Sequence, residues 1–211
     1  MIGDPFIRYP CIRVSVYWLL TLLQGTLSLV ITLRSLGGGA LSCVSGDVTL
    51  QVFSPEGKGR EGIITLLATP EEEAPASVLS WPGEYDLRGI AIRGIGRSEG
   101  KQVSYVAVVE GMRFGFLSSP LGSWSEEEIG RLGDLDILAI PAEDPAHVTA
   151  ILEEVDPRVL IPLPTKDLKS FEAVLHAAGA ADAEPQKEVK IKAGGLPADS
   201  RVVYVLKPEG K

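Results

Sequence analysis

Glu71-Glu72-Glu73 is the densest run of charge in the chain, and Glu84 follows a Pro-Gly corner a little further on. Carboxylates gathered this way have two physical readings. One is a solvated loop. The other is an oxygen-donor site for a hard cation such as magnesium or calcium, with Glu71, Glu72, Glu73 and Glu84 as candidates. Zinc is poorly served there, because it takes imidazole or thiolate ligands and none is nearby. The chain has two histidines, His147 and His176. His147 stands beside the apolar stripe of its helix, one position before Val148, which turns it toward solvent. His176 occupies the last turn before Gly179, where a polar or positive group suits the helix dipole. Ser118-Ser119 follows a strand, a fitting place for a nucleophile, but no Ser-His-acid arrangement can be built around it. Gly94-Ile95-Gly96-Arg97-Ser98-Glu99-Gly100 has one residue too many for a dinucleotide loop. It leads into a strand, whereas pyrophosphate binding needs a helix amino terminus, so it reads as a hairpin turn. Gly57-Lys58-Gly59-Arg60 is too short for a phosphate-binding loop and lacks a Ser or Thr after the lysine.

The elements that would position these residues change character halfway along. Val30 to Leu33, Ala40 to Ser45, Val48 to Phe53 and Ile63 to Ala68 read as short strands. Gly37-Gly38-Gly39 and Ser45-Gly46-Asp47 turn the chain between them. Trp81-Pro82-Gly83 is read as a turn launching a strand from Leu87 to Ile95. Val103 to Val109 and Met112 to Leu117 continue a meander. From Ser125 the period shifts. Ser125-Glu126-Glu127-Glu128 is a capping box for a short helix. Asp136 to Ile140 is a strand. Asp144-Pro145 then caps a helix burying Val148, Ile151, Leu152 and Val155. Arg158 to Ile161 is a strand, and Asp167 to Ala178 is a helix stopped by Gly179. Val189 to Ile191 and Arg201 to Leu206 read as closing strands. A meander followed by strand-helix alternation indicates a layered α/β protein.

Three segments in this order carry a resemblance. Pro82-Gly83-Glu84-Tyr85-Asp86 runs into Gly89-Ile90-Ala91-Ile92. Leu132-Gly133-Asp134-Leu135-Asp136-Ile137-Leu138-Ala139-Ile140-Pro141 comes later, followed by Val155-Asp156-Pro157-Arg158-Val159-Leu160-Ile161-Pro162. Together they resemble the metallo-β-lactamase fold superfamily, in its branch of small predicted zinc-dependent hydrolases distantly related to ascorbate-6-phosphate lactonases. The similarity spans residues 30–206. It implies one domain, a four-layer αββα sandwich, with zinc held at one edge by loops at strand ends.

Taken one position at a time, the ligands that this resemblance implies are missing. The histidine position after the first strand holds Gly38. The positions of the His-x-His-x-Asp-His signature hold Pro70, Glu72, Ala74 and Pro75. The position of the bridging aspartate falls at Ser118-Ser119, on Ser119, and that of the last histidine holds Pro164. A zinc hydrolase works because the metal lowers the pKa of a bound water to about 7, and its metal usually needs three protein ligands. Glu72 alone cannot supply them. Proline, with no side-chain donor or acceptor, cannot ligate at all. The resemblance therefore implies a retained fold without the hydrolase centre, a binding or scaffold protein with no expected cofactor. The alternatives are a hydrolase with a rebuilt carboxylate site holding a divalent cation, and a membrane-tethered accessory module. Glu84 and Tyr85 are read as framework, pinning neighbouring loops, with Glu84 buried and satisfied.

Bulk properties bound the partners. The 211 residues carry a net charge of -8 and form no run of lysine or arginine, which excludes a nucleic-acid backbone as main partner. Cys11 and Cys43 make neither a disulfide framework nor a zinc knuckle. A homo-oligomer is compatible with the sequence. Val14 to Leu33 is uncharged and long enough to cross a bilayer. It reads as an anchor, as core, or as sequence upstream of the fold. If Val30 to Leu33 is the first strand, only Val14 to Leu29 remains, short of the roughly 20 residues of a span. The expected organisation is thus an apolar segment over residues 1–29, a domain over 30–206 and a tail over 207–211. A cytoplasmic location is expected, with membrane association as the alternative.

Overall fold

The computed structural model describes residues 30–54 and 60–208. The apolar run before residue 30, Cys11, and Gly57, Lys58 and Gly59 lie outside them. Two mixed sheets pack face to face. The first has the order β12-β1-β2-β3-β4-β5, with β1 (Ile31–Gly37), β2 (Ala40–Ser45), β3 (Val48–Val52), β4 (Ile63–Leu66), β5 (Val78–Leu79) and β12 (Val189–Ile191). The second has the order β13-β11-β10-β9-β8-β7-β6. Its members are β6 (Gly83–Leu87), β7 (Ile90–Arg97), β8 (Gln102–Val109), β9 (Met112–Phe116), β10 (Ile137–Pro141), β11 (Val159–Leu163) and β13 (Val202–Val203). Strands β6 to β9 form an antiparallel meander, and β9, β10, β11 and β13 run parallel.

Period-two alternation turns one face of each sheet inward. Ile31 and Leu33 of β1, Leu41 and Cys43 of β2, and Leu50 and Val52 of β3 meet Ile92, Tyr105, Phe114 and Phe116 from the second sheet. The middle of the second sheet is apolar on both faces, so β10 (ILAIP) and β11 (VLIPL) are buried at every position, as parallel strands covered on both sides must be. Their outer face is covered by α1 (Glu126–Leu132), α2 (Pro145–Val155) and α3 (Leu168–Ala177). On α2, Val148, Ile151 and Leu152 are buried, each contributing roughly 1.5–3 kcal/mol by leaving water. The helix starts are fixed locally. Ser125 and Glu128 form the reciprocal capping box, Asp144 accepts from the amides of Ala146 and His147, and Asp167 accepts from that of Lys169. The expected α/β sandwich is observed. No helix among the described residues is long and apolar enough to cross a membrane. Burial pushes the Cys43 thiol up to about 12, which makes it an inert core residue.

The corner at residues 80–89 differs from the expectation. Gly83–Leu87 is itself a strand, and the turn falls at Arg88-Gly89, where both residues have positive φ. The strand that follows starts at Ile90 rather than Leu87. Arg201 to Leu206 likewise pairs as a strand only at Val202–Val203, with an isolated bridge from Leu206 to Gln186.

Candidate functional site

The positions that the resemblance matches to ligands fall in the segments that follow β1, β4, β9 and β11. Gly38 and Gly39 form the two-residue turn between β1 and β2, and both have positive φ. That is the backbone a two-residue hairpin requires and the one glycine tolerates. A Cβ at Gly39 would lie 4.0 Å from the carbonyl of Pro164, so the residue after the first of these positions lies beside the last, whereas a Cβ at Gly38 would meet nothing within 4 Å.

Strand β8 ties the two sheets together here. The amide of Val103 donates to the carbonyl of Ala68 at 2.8 Å. The Tyr105 hydroxyl is fully buried and sits between the carbonyls of Leu67 (2.7 Å) and Leu79 (2.8 Å). It holds the ends of β4 and β5 in place. Burial pushes this phenol well above its ordinary range and neighbouring Tyr85 adds to the rise, while the bond to Leu67 opposes it. A hydroxyl has one proton, so it donates to one carbonyl at a time. Tyr105→Phe leaves the Leu67 carbonyl without this donor, while that of Leu79 keeps the amide of Leu67 at 2.9 Å, and we expect a loss of about 1–2 kcal/mol in chemical denaturation.

The loop after β9 is fastened by polar side chains. Gln102 donates through Nε2 to the carbonyls of Ser118 (3.0 Å) and Pro120 (2.8 Å). The hydroxyls of Ser104 and Ser118 are 3.1 Å apart, and both residues are buried. Ser119 donates its hydroxyl to Oε1 of Glu143, whose Oε2 accepts from the amide of Leu121 at 2.8 Å. Glu143 joins the loop after β9 to the segment between β10 and α2. Arg97 completes the frame. Its guanidinium donates to Glu128 Oε1 (3.1 Å) and to the carbonyls of Leu121 (2.7 Å) and Ser123 (2.5 Å), and it lies 4.3 Å from the ring centre of Trp124.

Glu71 Oε atoms aside, its backbone is fixed: the Ser80 hydroxyl accepts from its amide (3.0 Å) and donates to its carbonyl (3.3 Å). Trp81 Nε1 donates to the same carbonyl at 2.9 Å. Glu72 and Glu73 are exposed. Glu84 is exposed too, and its Oε1 is 3.0 Å from Arg93 across the β6–β7 hairpin. The expectation of a buried, pinning Glu84 is therefore wrong: β6 is an edge strand with water on its polar side, and the cross-strand arginine is the partner. Tyr85 does pin a neighbour, donating to the carbonyl of Trp81 at 2.9 Å. Since exposed pairs contribute little, Glu84→Ala is expected to leave the melting temperature almost unchanged.

His147 Nδ1 lies 3.5 Å from Asp144 at the start of α2, and His176 stands in the last turn of α3. Among the described residues, no three His, Cys, Asp or Glu side chains converge to hold a metal. The seven matched positions do not fit zinc. Glu72 and Ser119 alone carry an oxygen donor in the side chain, and the Ser119 hydroxyl is engaged by Glu143. Glu143, Gln102 and Arg97 escaped the reading of the sequence. The one cue was an acidic residue placed between the end of an apolar strand and the Asp144-Pro145 cap.

Solved structures place this architecture. A protein from Thermotoga maritima assigned to the Zn-dependent hydrolases of the metallo-β-lactamase superfamily is 17% identical, with a TM-score of 0.68 over 85% of this chain and 100% of the other. Igni18, a metallo hydrolase from Ignicoccus hospitalis, is 13% identical, with a TM-score of 0.53 over 77% and 98%. CmlA, a diiron β-hydroxylase from Streptomyces venezuelae, is 7% identical, with a TM-score of 0.54 over 78% of this chain and 54% of its own. No protein-family model matches the sequence, and no curated protein matches it. The chain has the metallo-β-lactamase fold.

Proposed function

We propose that this chain uses the metallo-β-lactamase fold as a binding or scaffold protein, without zinc-dependent hydrolysis. The observation that supports this best is the chemistry of these strand-end segments. Where the resemblance calls for imidazoles and carboxylates, the chain has two glycine- or alanine-type positions, three prolines, one exposed glutamate and one serine already bonded to Glu143. A catalytic zinc needs about three protein ligands and an open position, and this donor set is too small. The hydrogen bonds of Glu143, Gln102 and Tyr105 hold the strand-end loops together from within the chain, a task that bound metal also performs where it bridges such loops.

Metal content and turnover test the reading together. Purified protein equilibrated with zinc and desalted is expected to retain less than one zinc per chain. It is expected to turn over lactone and phosphoester substrates no faster than Glu72→Gln, with zinc, magnesium or manganese present. Stoichiometric zinc, removed by a chelator together with hydrolysis, would overturn it.

A further inference from the structure

The geometry points to Trp81 as the anchor of a docking surface for an arginine- or lysine-bearing segment of another polypeptide. This rests on the chain being a binding protein and names the class of partner. Two large apolar side chains are exposed among the described residues, Trp81 at 49% and Leu168 at 68%. Trp81 differs from an incidental surface residue because its indole and backbone are held by several contacts. Its indole N–H is spent on the carbonyl of Glu71, its own carbonyl accepts from Tyr85, and Ser80 before it is buried. Its backbone presses on Gly94, where a Cβ would lie 2.7 Å from the Trp81 oxygen, and the Pro82 ring presses on Gly96, where a Cβ would lie 2.6 Å away. Ordering cost is a main charge against association, and here the fold has already met it.

What the indole offers outward follows from its bonding. Its one polar group is used internally, so what it offers outward is aromatic carbon, and an indole attracts cations and apolar groups. The neighbouring charge selects between them. The Trp81 N–H bonds to Glu71, the residue before Glu72 and Glu73, whose carboxylates are exposed and have no hydrogen bond or ion pair among the described residues. A guanidinium or ammonium over the ring gains from both, and the net charge of -8 steers a basic partner inward. A second copy of this chain would bring its own carboxylates against these. A polypeptide that reaches Trp81 and the two glutamates at once makes more of these contacts than a small cation does.

The test uses the full chain and a fluorescein-labelled octapeptide alternating arginine and glycine, read by anisotropy at about 0.15 M salt, where the Debye length is about 8 Å. Saturable binding is expected. Trp81→Ala should raise the dissociation constant about 5-fold, and Trp81→Phe should fall between it and the parent. Glu72→Gln/Glu73→Gln should also weaken binding and flatten its salt dependence. Glu126→Gln/Glu127→Gln, an equal charge change on exposed α1 outside the 71–81 segment, should leave it within about 2-fold. No saturable binding, unchanged constants in both Trp81 variants, or equal losses from the two glutamate pairs would overturn the inference. If Trp81→Ala does not fold, Trp81→Phe and the glutamate pairs decide. These failures differ from zinc-dependent turnover, which would overturn the proposed function itself.

Discussion

Arg97→Leu is expected to lower the unfolding free energy by about 2–3 kcal/mol, the cost of removing a nearly buried guanidinium that donates to one carboxylate and two carbonyls. The arginine side chain is 9% exposed, while Glu128 is 25% exposed and stays partly in contact with water, so the carboxylate is partly screened and the arginine carries most of the effect. The substitution removes the cation from Glu128, strips the carbonyls of Leu121 and Ser123 of their donors, and removes the charge beside the Trp124 ring. Arg97→Lys should rescue only part, because an ammonium cannot reproduce the guanidinium fork. Urea denaturation at neutral pH reads the difference; a loss under about 1 kcal/mol would mean that the loop holds its shape without the cation. A pH series adds an independent signature. Partial burial pushes the Glu128 carboxyl up, but the Ser125 amide and the Arg97 guanidinium outweigh it and hold the group below its ordinary 4.5. A depressed carboxyl stabilises the fold fully above its unfolded pKa and loses that contribution as the pH falls through the folded one. The acid loss of stability below about pH 4.5 should therefore be shallower in Arg97→Leu.

Gly94→Ala is expected to cost about 3 kcal/mol, at the upper end for overpacking. The backbone at Gly94 is ordinary extended strand, so the cost is one of space. The added methyl would meet the Trp81 carbonyl at 2.7 Å and both Pro82 Cα and Val103 Cγ1 at 3.3 Å. The nearest atom is backbone and cannot rotate away. To make room, the 80–83 corner must lift from β7, which also strains the Tyr85 bond to Trp81. Gly130→Ala in α1 is the control. Its Cβ would meet nothing within 4 Å, and replacing a helical glycine should stabilise by about 0.5–1 kcal/mol. Opposite signs in thermal melts would separate crowding from backbone entropy, and a loss below about 1 kcal/mol at Gly94 would refute the close approach.

The sequence was most legible where periodicity and capping agree. The apolar runs of β10 and β11, the inward residues of α2 and the Ser125–Glu128 capping box all stand where their patterns put them. The Pro-Gly corner was misread because β6 lies at a sheet edge with little burial, so its five residues show no apolar alternation. Gly94 and Gly96 looked like parts of a turn, whereas their role is to let another segment's backbone approach, which leaves no local trace. Glu143 could not be found for a similar reason: its bond to Ser119 spans 24 residues and exists because β9 and β10 run parallel, bringing their end loops together.

The pairing of β1 with β12 bears on how the chain comes to be folded during synthesis. β1 is hydrogen-bonded on one side by β2, its immediate successor, and on the other by β12, whose Ile191 lies opposite Ile31. The Arg34–Glu188 ion pair across the same seam joins residues 154 apart. A chain leaving the ribosome can form the β1–β2–β3 hairpins early, but among the described residues the other flank of β1 pairs only with β12, after almost the whole domain has emerged. For that interval a row of unpaired amides and carbonyls faces outward, the arrangement most prone to intermolecular strand pairing. The outward Arg34 on β1 then serves twice: before closure a charge disfavours a second nascent chain at this edge, and after closure it pairs with Glu188 in the completed sheet.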